Sequence, residues 1–445
     1  MIHLQVGLPL LDIIARGGGG GSGGGGGSGG GGIMMLGYLP AHFVTSWFNK
    51  RISFQAGLIA GIITSIIVTA VCVVLGVGID ILIAIGAGIG VYSGLHNWFG
   101  KLRLMNKKSK QMLNIAAQAD PSWDEAALQA RVRQVFADYQ NDWSTFNLEH
   151  MRTYMTARYY THMSLFLTAL YQMKRQNAVE QPVLANVTVV SVTDVMNDED
   201  DNFEVVVEAR ANDKLIDVAA NTIIYTDSDV FQEMWRFDRE NGQWMLDGIT
   251  QATANGTVMS PAMESFAREN GMFYSGDMGW LLLPQRGQLF GKANFKNSDV
   301  NNHVIGNWQG LIVQLYTYVP YKSKEQAQNY LIGQINLPKS YGGILIKRKS
   351  AFSFLSSTPR GYQKVSFEWP DFNKRYQVYA TDMDKVTSFE LLNPSVMADI
   401  YDRNLKVNIE VVDNVVYVYS KVNSAETKYK DMLAILVRAF QELKR

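Results

Sequence analysis

From Phe54 to Ile79 the sequence contains no charged residue, and a second uncharged run follows from Ile81 to Phe99, with Asp80 the only acidic or basic residue between Arg51 and Lys101. As helices these runs extend far enough to matter: Phe54 to Leu75 alone covers roughly 33 Å and Ile81 to Phe99 roughly 28 Å, against a hydrocarbon core of roughly 30 Å. The pattern predicts a transmembrane helical hairpin over 53–100. Lys50 and Arg51 stand before it and Lys101, Arg103, Lys107, Lys108 and Lys110 after it, so both ends satisfy the positive-inside rule when the chain crosses and returns. Those five later cations are the expected membrane-surface contacts, each attracted to anionic lipid by about 1 kcal/mol. Gly57 and Gly61 in the first run, and Gly86, Gly90 and Gly94 in the second, recur every four residues. Such smooth faces let helix backbones approach closely, and the expectation is that the two runs pack on one another.

Ahead of the hairpin, residues 34–52 mix apolar and aromatic side chains with a basic end, which suits an interfacial segment with Tyr38 and Trp47 at headgroup level. Residues 1–33 carry the tract "GGGGGSGGGGGSGGGG", which has no side chains to bury and behaves as a flexible chain. It lacks the Lys-Ser/Thr ending of a phosphate-binding loop. The first sixteen residues resemble a signal sequence with a short apolar region interrupted by Asp12; a mis-assigned start, an uncleaved tail and a working signal all stay open. The basic flanks place the tract, the cations and the soluble part on the cytoplasmic side of a bacterial inner membrane.

Composition removes several classes of function. With 41 basic and 41 acidic residues there is no global field to steer the chain to nucleic acid. One cysteine, Cys72, lies in the first apolar run, which excludes an intramolecular disulfide, a zinc–cysteine site and a thiol redox pair. The six histidines, His3, His42, His96, His150, His162 and His303, show no metal-ligand spacing, and no Gly-x-Ser-x-Gly elbow occurs outside the tract. "NDEDDN" at 197–202 lacks the glycine and distal glutamate of a calcium loop and reads as a solvated turn. No cofactor, metal or catalytic residue is expected, and the chain is read as non-enzymatic.

Beyond Lys110 the pattern is that of a soluble α+β protein. Leu128, Val132, Val135, Phe136, Tyr139 and Trp143 recur at helical spacing behind "DPSWDEAA", and a short and a longer helix follow through residue 173. From Pro182 the period becomes two, in strand-like runs separated by turn signals at Asn197 to Asn202, Asn212-Asp213 and Asn241-Gly242. Helices first and an antiparallel meander afterwards predict a curved sheet wrapped around helices over 111–255. A second β-rich α+β region is expected over 266–445, with helices at "SKEQAQNYLIGQI", "TSFELLNPSVMADIYDR" and the C-terminus.

The stretch "DPSWDEAALQARVRQVFADYQNDWSTFNLEHMRTYMTARYY", taken with "MWRFDRENGQWMLDGI", resembles the lipid-binding C-terminal domain of the mitochondrial inner-membrane translocase's import-motor tether and its bacterial relatives. Trp143, Met151-Arg152, Trp235-Arg236-Phe237, Arg239 and Trp244-Met245-Leu246 carry the match. Asp142 before Trp143, Met151 in place of leucine, and Asp238 depart from the family pattern. The resemblance covers Lys110 to Gln251; the region after it is similar to a bacterial domain of unknown function, which brings no residue roles. What the resemblance implies is a half-open cone of the nuclear transport factor 2 type, with an apolar cavity for membrane lipid or another apolar ligand. Phe136, Trp143, Phe166, Leu170, Trp235 and Trp244 are the residues placed to line it. The same residues fit an ordinary packed core, in which case the protein is a membrane tether or scaffold holding a protein partner. Cone folds also host isomerases, which use an aspartate in an apolar pocket. A continuous lined pocket favours the ligand; a junction plugged by its own side chains favours the tether.

Overall fold

The computed structural model describes residues 30–51, 54–75, 81–95, 98–251, 260–276, 278–284, 286–290, 300–319, 329–349, 358–404, 406–421 and 429–444. Residues 1–29, with the leader and the first part of the Gly-Ser tract, and Asp80 lie outside them, whereas Gly30–Gly32, expected in the flexible tail, open the helix α1. The chain forms two compact units, residues 1–112 and 113–445.

In the first unit, α1 (Gly30–Arg51), α2 (Phe54–Val74) and α3 (Ile81–Leu95) lie side by side, and α4 (Trp98–Ala119) begins at its end. The window Gln55–Cys72 of α2 is long and apolar enough to cross a membrane, while α3 is shorter, at 15 residues. The segment expected to lie in the interface is the helix α1. Its buried positions recur every four residues, Gly37, Ala41, Thr45 and Asn49. The two hairpin helices touch, with Gly61 of α2 against Val91 of α3, but the glycine faces meet α1 more than each other. A Cβ at Gly86 would overlap the Met34 carbonyl, one at Gly90 would press on that of Tyr38, and one at Gly94 would meet Thr45 and His42. Gly57 faces Asn49, and Gly61 faces Thr45 of α1 and Val91 of α3. The two runs therefore pack together as expected, and α1 is an additional partner whose small residues let both glycine stripes approach it closely.

The second unit is α+β, as the sequence indicates. Asp120 caps a 3-10 turn at Pro121–Trp123, and Asp124 accepts from the Ala127 amide at 2.8 Å to open α5 (Glu125–Thr145). Phe146, in the left-handed region at φ 56°, ends it. The short α6 (Leu148–Met151) and longer α7 (Ala157–Gln172) follow, the latter capped by Thr156. The first sheet comprises β1 (Arg175–Thr193), β2 (Asn202–Asp217), β3 (Thr222–Asp227), β4 (Val230–Glu240) and β5 (Gln243–Gln251). Its order is β1-β2-β4-β5, with β3 paired to the far half of β2. Register shifts at Glu180/Val183, Leu184/Asn186 and Val189/Ser191 bend β1, and with it the sheet, around α5 and α7.

Asn212-Asp213 is not a turn. Both residues sit inside β2, where Asn212 pairs with Glu180, Asp213 pairs with Val179, and the Asp213 carboxylate accepts from Asn177 at 2.9 Å. Long-range pairing overrides the local preference of Asn-Asp for a turn. Asn241-Gly242, by contrast, has φ of 53° and 71° and turns the β4–β5 hairpin as its sequence demands.

After α8 (Pro261–Glu269), a second antiparallel sheet is built from β6 (Phe273–Ser275), β7 (Val300–Trp308), β8 (Leu311–Tyr318), β9 (Tyr330–Arg348), β10 (Gln363–Val365), β11 (Tyr376–Ala380) and β12 (Asn408–Lys421). β9 is the spine: β8 and then β11 pair along one edge, and β12 runs the length of the other. The expected helix at "SKEQAQNYLIGQI" is therefore corrected. Its first residues lie outside the described set, and Tyr330–Ile335 is strand. Leu331 through Ile335 are buried without a break, and such a run has no period to distinguish strand from helix. The short helices α9 (Pro370–Arg375) and α10 (Lys385–Leu391) lead to α11 (Pro394–Arg403), and α12 (Tyr429–Leu443) closes the chain. Asn393 caps α11 and separates it from α10, so "TSFELLNPSVMADIYDR" forms two helices.

The two sheets share a core. Met173, Leu281, Leu282, Tyr316, Val415 and Tyr417 belong to the same buried cluster as Phe166 and Trp235. Asn336 of the second sheet donates to the Ala169 carbonyl near the end of α7 at 2.9 Å, and Gln334 donates to the Leu282 carbonyl in the segment between β6 and β7 at 2.8 Å.

Candidate functional site

The six side chains that the tether resemblance places around a cavity are all buried in one apolar cluster. α5 delivers Phe136 and Trp143 from the face it turns to the sheet, two turns apart, with Tyr139 between them. α7 delivers Phe166 and Leu170, which share a face at i, i+4 spacing. β4 supplies Trp235 and β5 supplies Trp244.

These rings contact one another across the junction. Phe136 lies 5.7 Å from Trp235 between centroids, Trp235 lies 5.5 Å from Tyr139 edge to face, Tyr139 lies 5.8 Å from Trp143, and Trp143 stacks on Phe166 at 5.6 Å. All four separations fall within the range of direct aromatic contact. Trp244 does not join this chain. It forms a second group with Trp123 at 4.7 Å and Phe203 at 5.0 Å, and Phe203 stacks on Phe237.

The polar edges of the rings are satisfied inside the protein. The Trp143 indole N–H donates to Asn177 Oδ1 at 2.7 Å, that of Trp235 to Glu233 at 2.9 Å, and that of Trp244 to the Ser122 carbonyl at 3.2 Å. Asn177 passes its own donor to Asp213, whose carboxyl is pushed up to about 6 by burial. Desolvation likewise drives the Tyr139 phenol well above its ordinary range.

The outer side of α7 is covered too. His162 stacks on Phe273 of β6 at 5.0 Å, with planes 4° apart, and Phe166 meets the edge of His303 at 5.8 Å. Burial lowers both imidazoles, His162 to about 3 and His303 to about 4, so both are neutral at pH 7. His162 faces the second sheet, and α7 is a layer between two sheets.

Sequence reasoning missed three constellations. Tyr139, the ring that joins the Phe136–Trp235 pair to the Trp143–Phe166 pair, was recognised only as a helix-face residue. Arg239, noticed as a motif position, is a hub: its Nη1 donates to Asp120 at 2.6 Å and Asp201 at 3.3 Å, while its guanidinium lies over the Trp244 ring at 5.6 Å. The Ser122 hydroxyl and amide, and then Arg239, hold the Asp120 carboxyl down at about 2. Asp142, the departure from the family pattern, is fully buried; it accepts from Tyr154 at 3.0 Å and lies 2.7 Å from His150 Nδ1. No spacing rule connects Arg239 to Asp120, 119 residues away. The turn at 197–202 also does more than solvate, because Glu199 accepts from the amides of Asn241 and Gly242 and ties the two hairpins together.

Elsewhere in the second unit, a pocket between α10, α11, α12 and the sheet, lined by Leu391, Val396, Ile400, Ile409 and Ile435 among others, has a volume of about 10 Å³, room for about one water. Among the described residues no group of three or more His, Cys, Asp or Glu side chains is placed to hold a metal ion. Of the basic strip on α4, Lys101, Lys107, Lys108 and Lys110 are exposed, while Arg103 is half-buried and donates to Asn49 Oδ1 at 2.9 Å.

Comparison with known proteins identifies no family. No family model matches the chain and no curated protein matches it, so the resemblance over Lys110 to Gln251 stands without either. Among solved structures it is similar to the mycobacterial trehalose monomycolate transport factor A, at 12% identity and a TM-score of 0.31, over 41% of this chain and 92% of that one. It is also similar to the intermembrane space region of the chloroplast protein ARC6, at 15% identity and a TM-score of 0.23, over 29% of this chain and 95% of that one. Likenesses at these scores carry no argument about fold or function.

Proposed function

We propose that this chain is a membrane-anchored, non-enzymatic binding protein that holds a protein partner at the membrane, with the second unit as the holding module. The observation that carries the reading is the continuous ring contact from Phe136 through Trp235, Tyr139 and Trp143 to Phe166, which occupies the place where a cone would hold an apolar ligand. An acyl chain entering there would have to displace rings whose N–H groups are already bonded and whose far side is sealed by the second sheet. The membrane part of the reading rests on α2, whose Ile59, Ile63, Ile66 and Ile67 point outward.

The test uses the full chain reconstituted in nanodiscs and released for native mass spectrometry. The tether reading expects no lipid retained in fixed stoichiometry after annular lipid is stripped. It also expects a photo-crosslinker placed at Met383 or Val230, both exposed, to trap one discrete protein adduct in cells. One phospholipid or fatty acid retained per chain, and lost in Trp235→Ala while the chain still folds, would replace it with the lipid-carrier reading.

A further inference from the structure

By length and composition α2 is the one helix among the described residues apolar enough to cross a membrane, yet α1 has an apolar exterior and no polar face toward its surroundings. From Gly30 to Asn49 it carries no charged residue, and its 22 residues extend roughly 33 Å. Its outward side chains are apolar or aromatic: Met35, Leu36, Leu39, Phe43 and Trp47 are 44–71% exposed. Its inward face is the small-residue row Gly37, Ala41, Thr45 and Asn49 against α2 and α3. A helix lying in the interface needs a charged or polar side toward water, and α1 has none to offer.

Its polar groups are turned into the bundle, as a lipid surround requires. His42 Nδ1 lies 2.7 Å from Ser93 Oγ, and the Asn49 amide donates to the carbonyls of Gly94 and Leu95 at 3.1 and 3.0 Å, satisfying the last turn of α3. Pro40 inside the helix is tolerated in such a setting.

The contacts also fix direction. Met34 meets Gly86, Tyr38 meets Gly90 and Asn49 meets Leu95, so α1 and α3 run parallel, while α2 runs back between their ends. The carboxyl ends of α1 and α3 therefore coincide. Lys50-Arg51 and Lys101-Arg103 follow those two ends, and no basic residue stands at the other end of the bundle between Gly30 and Asn49 or between Phe54 and Phe99. That asymmetry is the positive-inside pattern of an odd number of crossings.

We infer that α1 is a third membrane span, its Met35–Phe43–Trp47 side against lipid, and that the chain delivers its Gly-Ser tract and its second unit to opposite faces of the membrane. The inference rests on the membrane anchoring proposed above and reverses the expectation that both share the basic, cytoplasmic face.

The test is cysteine labelling of the full chain in a Cys72→Ser background, with Ser28→Cys in the tract and, separately, Lys385→Cys on the exposed side of α10. A membrane-impermeant maleimide is applied to sealed vesicles of each orientation. The expected result is that the two positions label from opposite faces. Labelling from the same face would overturn the third span while leaving the anchor intact. Release of the unlabelled chain from membranes by alkaline carbonate would instead overturn the anchoring on which it rests.

Discussion

Trp143 of α5 and Phe166 of α7 stack with centroids 5.6 Å apart and planes 25° from parallel. Phe166 has no solvent exposure, and the same ring meets His303 of the second sheet edge-on. It therefore joins α5 to the second sheet in one core. Phe166→Ala is expected to destabilise the second unit by about 3–5 kcal/mol, the cost of an unfilled aromatic-sized hole. Urea unfolding followed by tryptophan fluorescence checks this; a cost under about 1 kcal/mol would mean that the ring lines an open space.

Arg239 is expected to be worth more than an ordinary surface cation. Its guanidinium is mostly enclosed, and its removal leaves the buried Asp201 carboxylate without its cationic partner. Arg239→Ala should cost about 2–4 kcal/mol, with Arg239→Lys intermediate because lysine cannot donate to two carboxylates and cover Trp244 together. Equal stability of the alanine and lysine variants would show that ring coverage, not pairing, is what matters.

Glu410 of β12 should set part of the acid-to-neutral stability profile. It is fully buried; it accepts from the Gln288 amide at 2.8 Å and from the Tyr417 hydroxyl, yet burial outweighs these bonds and raises its carboxyl to about 7. A raised acid holds its proton better when folded. Its contribution to stability is complete below the ordinary value of about 4.5 and is lost as pH rises to about 7, on the order of 3 kcal/mol over the window. Glu410→Gln keeps an acceptor for Gln288 and should flatten that slope, leaving the smaller one from Asp213. An unchanged slope would assign the titration elsewhere.

Glycine spacing in α3 gives a paired test within one helix. A Cβ at Gly90 would press on the backbone of Tyr38 and His42, whereas one at Gly88 meets nothing. Gly90→Ala should lower the thermal stability of the detergent-solubilised chain by several degrees, and Gly88→Ala should leave it unchanged or slightly raised. Equal effects would mean that α1 does not pack on α3 as described.

Much of this architecture can be read locally, and its limits have local causes. The Leu128 to Trp143 stripe and the Asn241-Gly242 turn each depend on neighbours within a few residues, and each appears as written. The six proposed lining residues are brought into the same core for the same reason: large apolar side chains at helix and strand periods go inside. Whether they enclose space or fill it depends on Tyr139 and on the second sheet behind α7, which no period reveals. Arg239 with Asp120, and the two glycine stripes with α1, are pairings across the fold, so the residues stand out in sequence while their partners do not. Tyr330–Ile335 of β9 reads as helix in sequence because burial on both faces erases its alternation.

The central claim is that the aromatic junction is closed, and quenching by brominated lipid tests it most directly. With Trp47 and Trp98 replaced by phenylalanine, seven tryptophans remain, and the full chain is placed in bilayers and titrated with a fatty acid brominated along its acyl chain. The part of the emission that Trp143→Phe and Trp235→Phe remove is expected to stay constant. Saturable quenching of that emission would place an acyl chain among the rings and contradict the account.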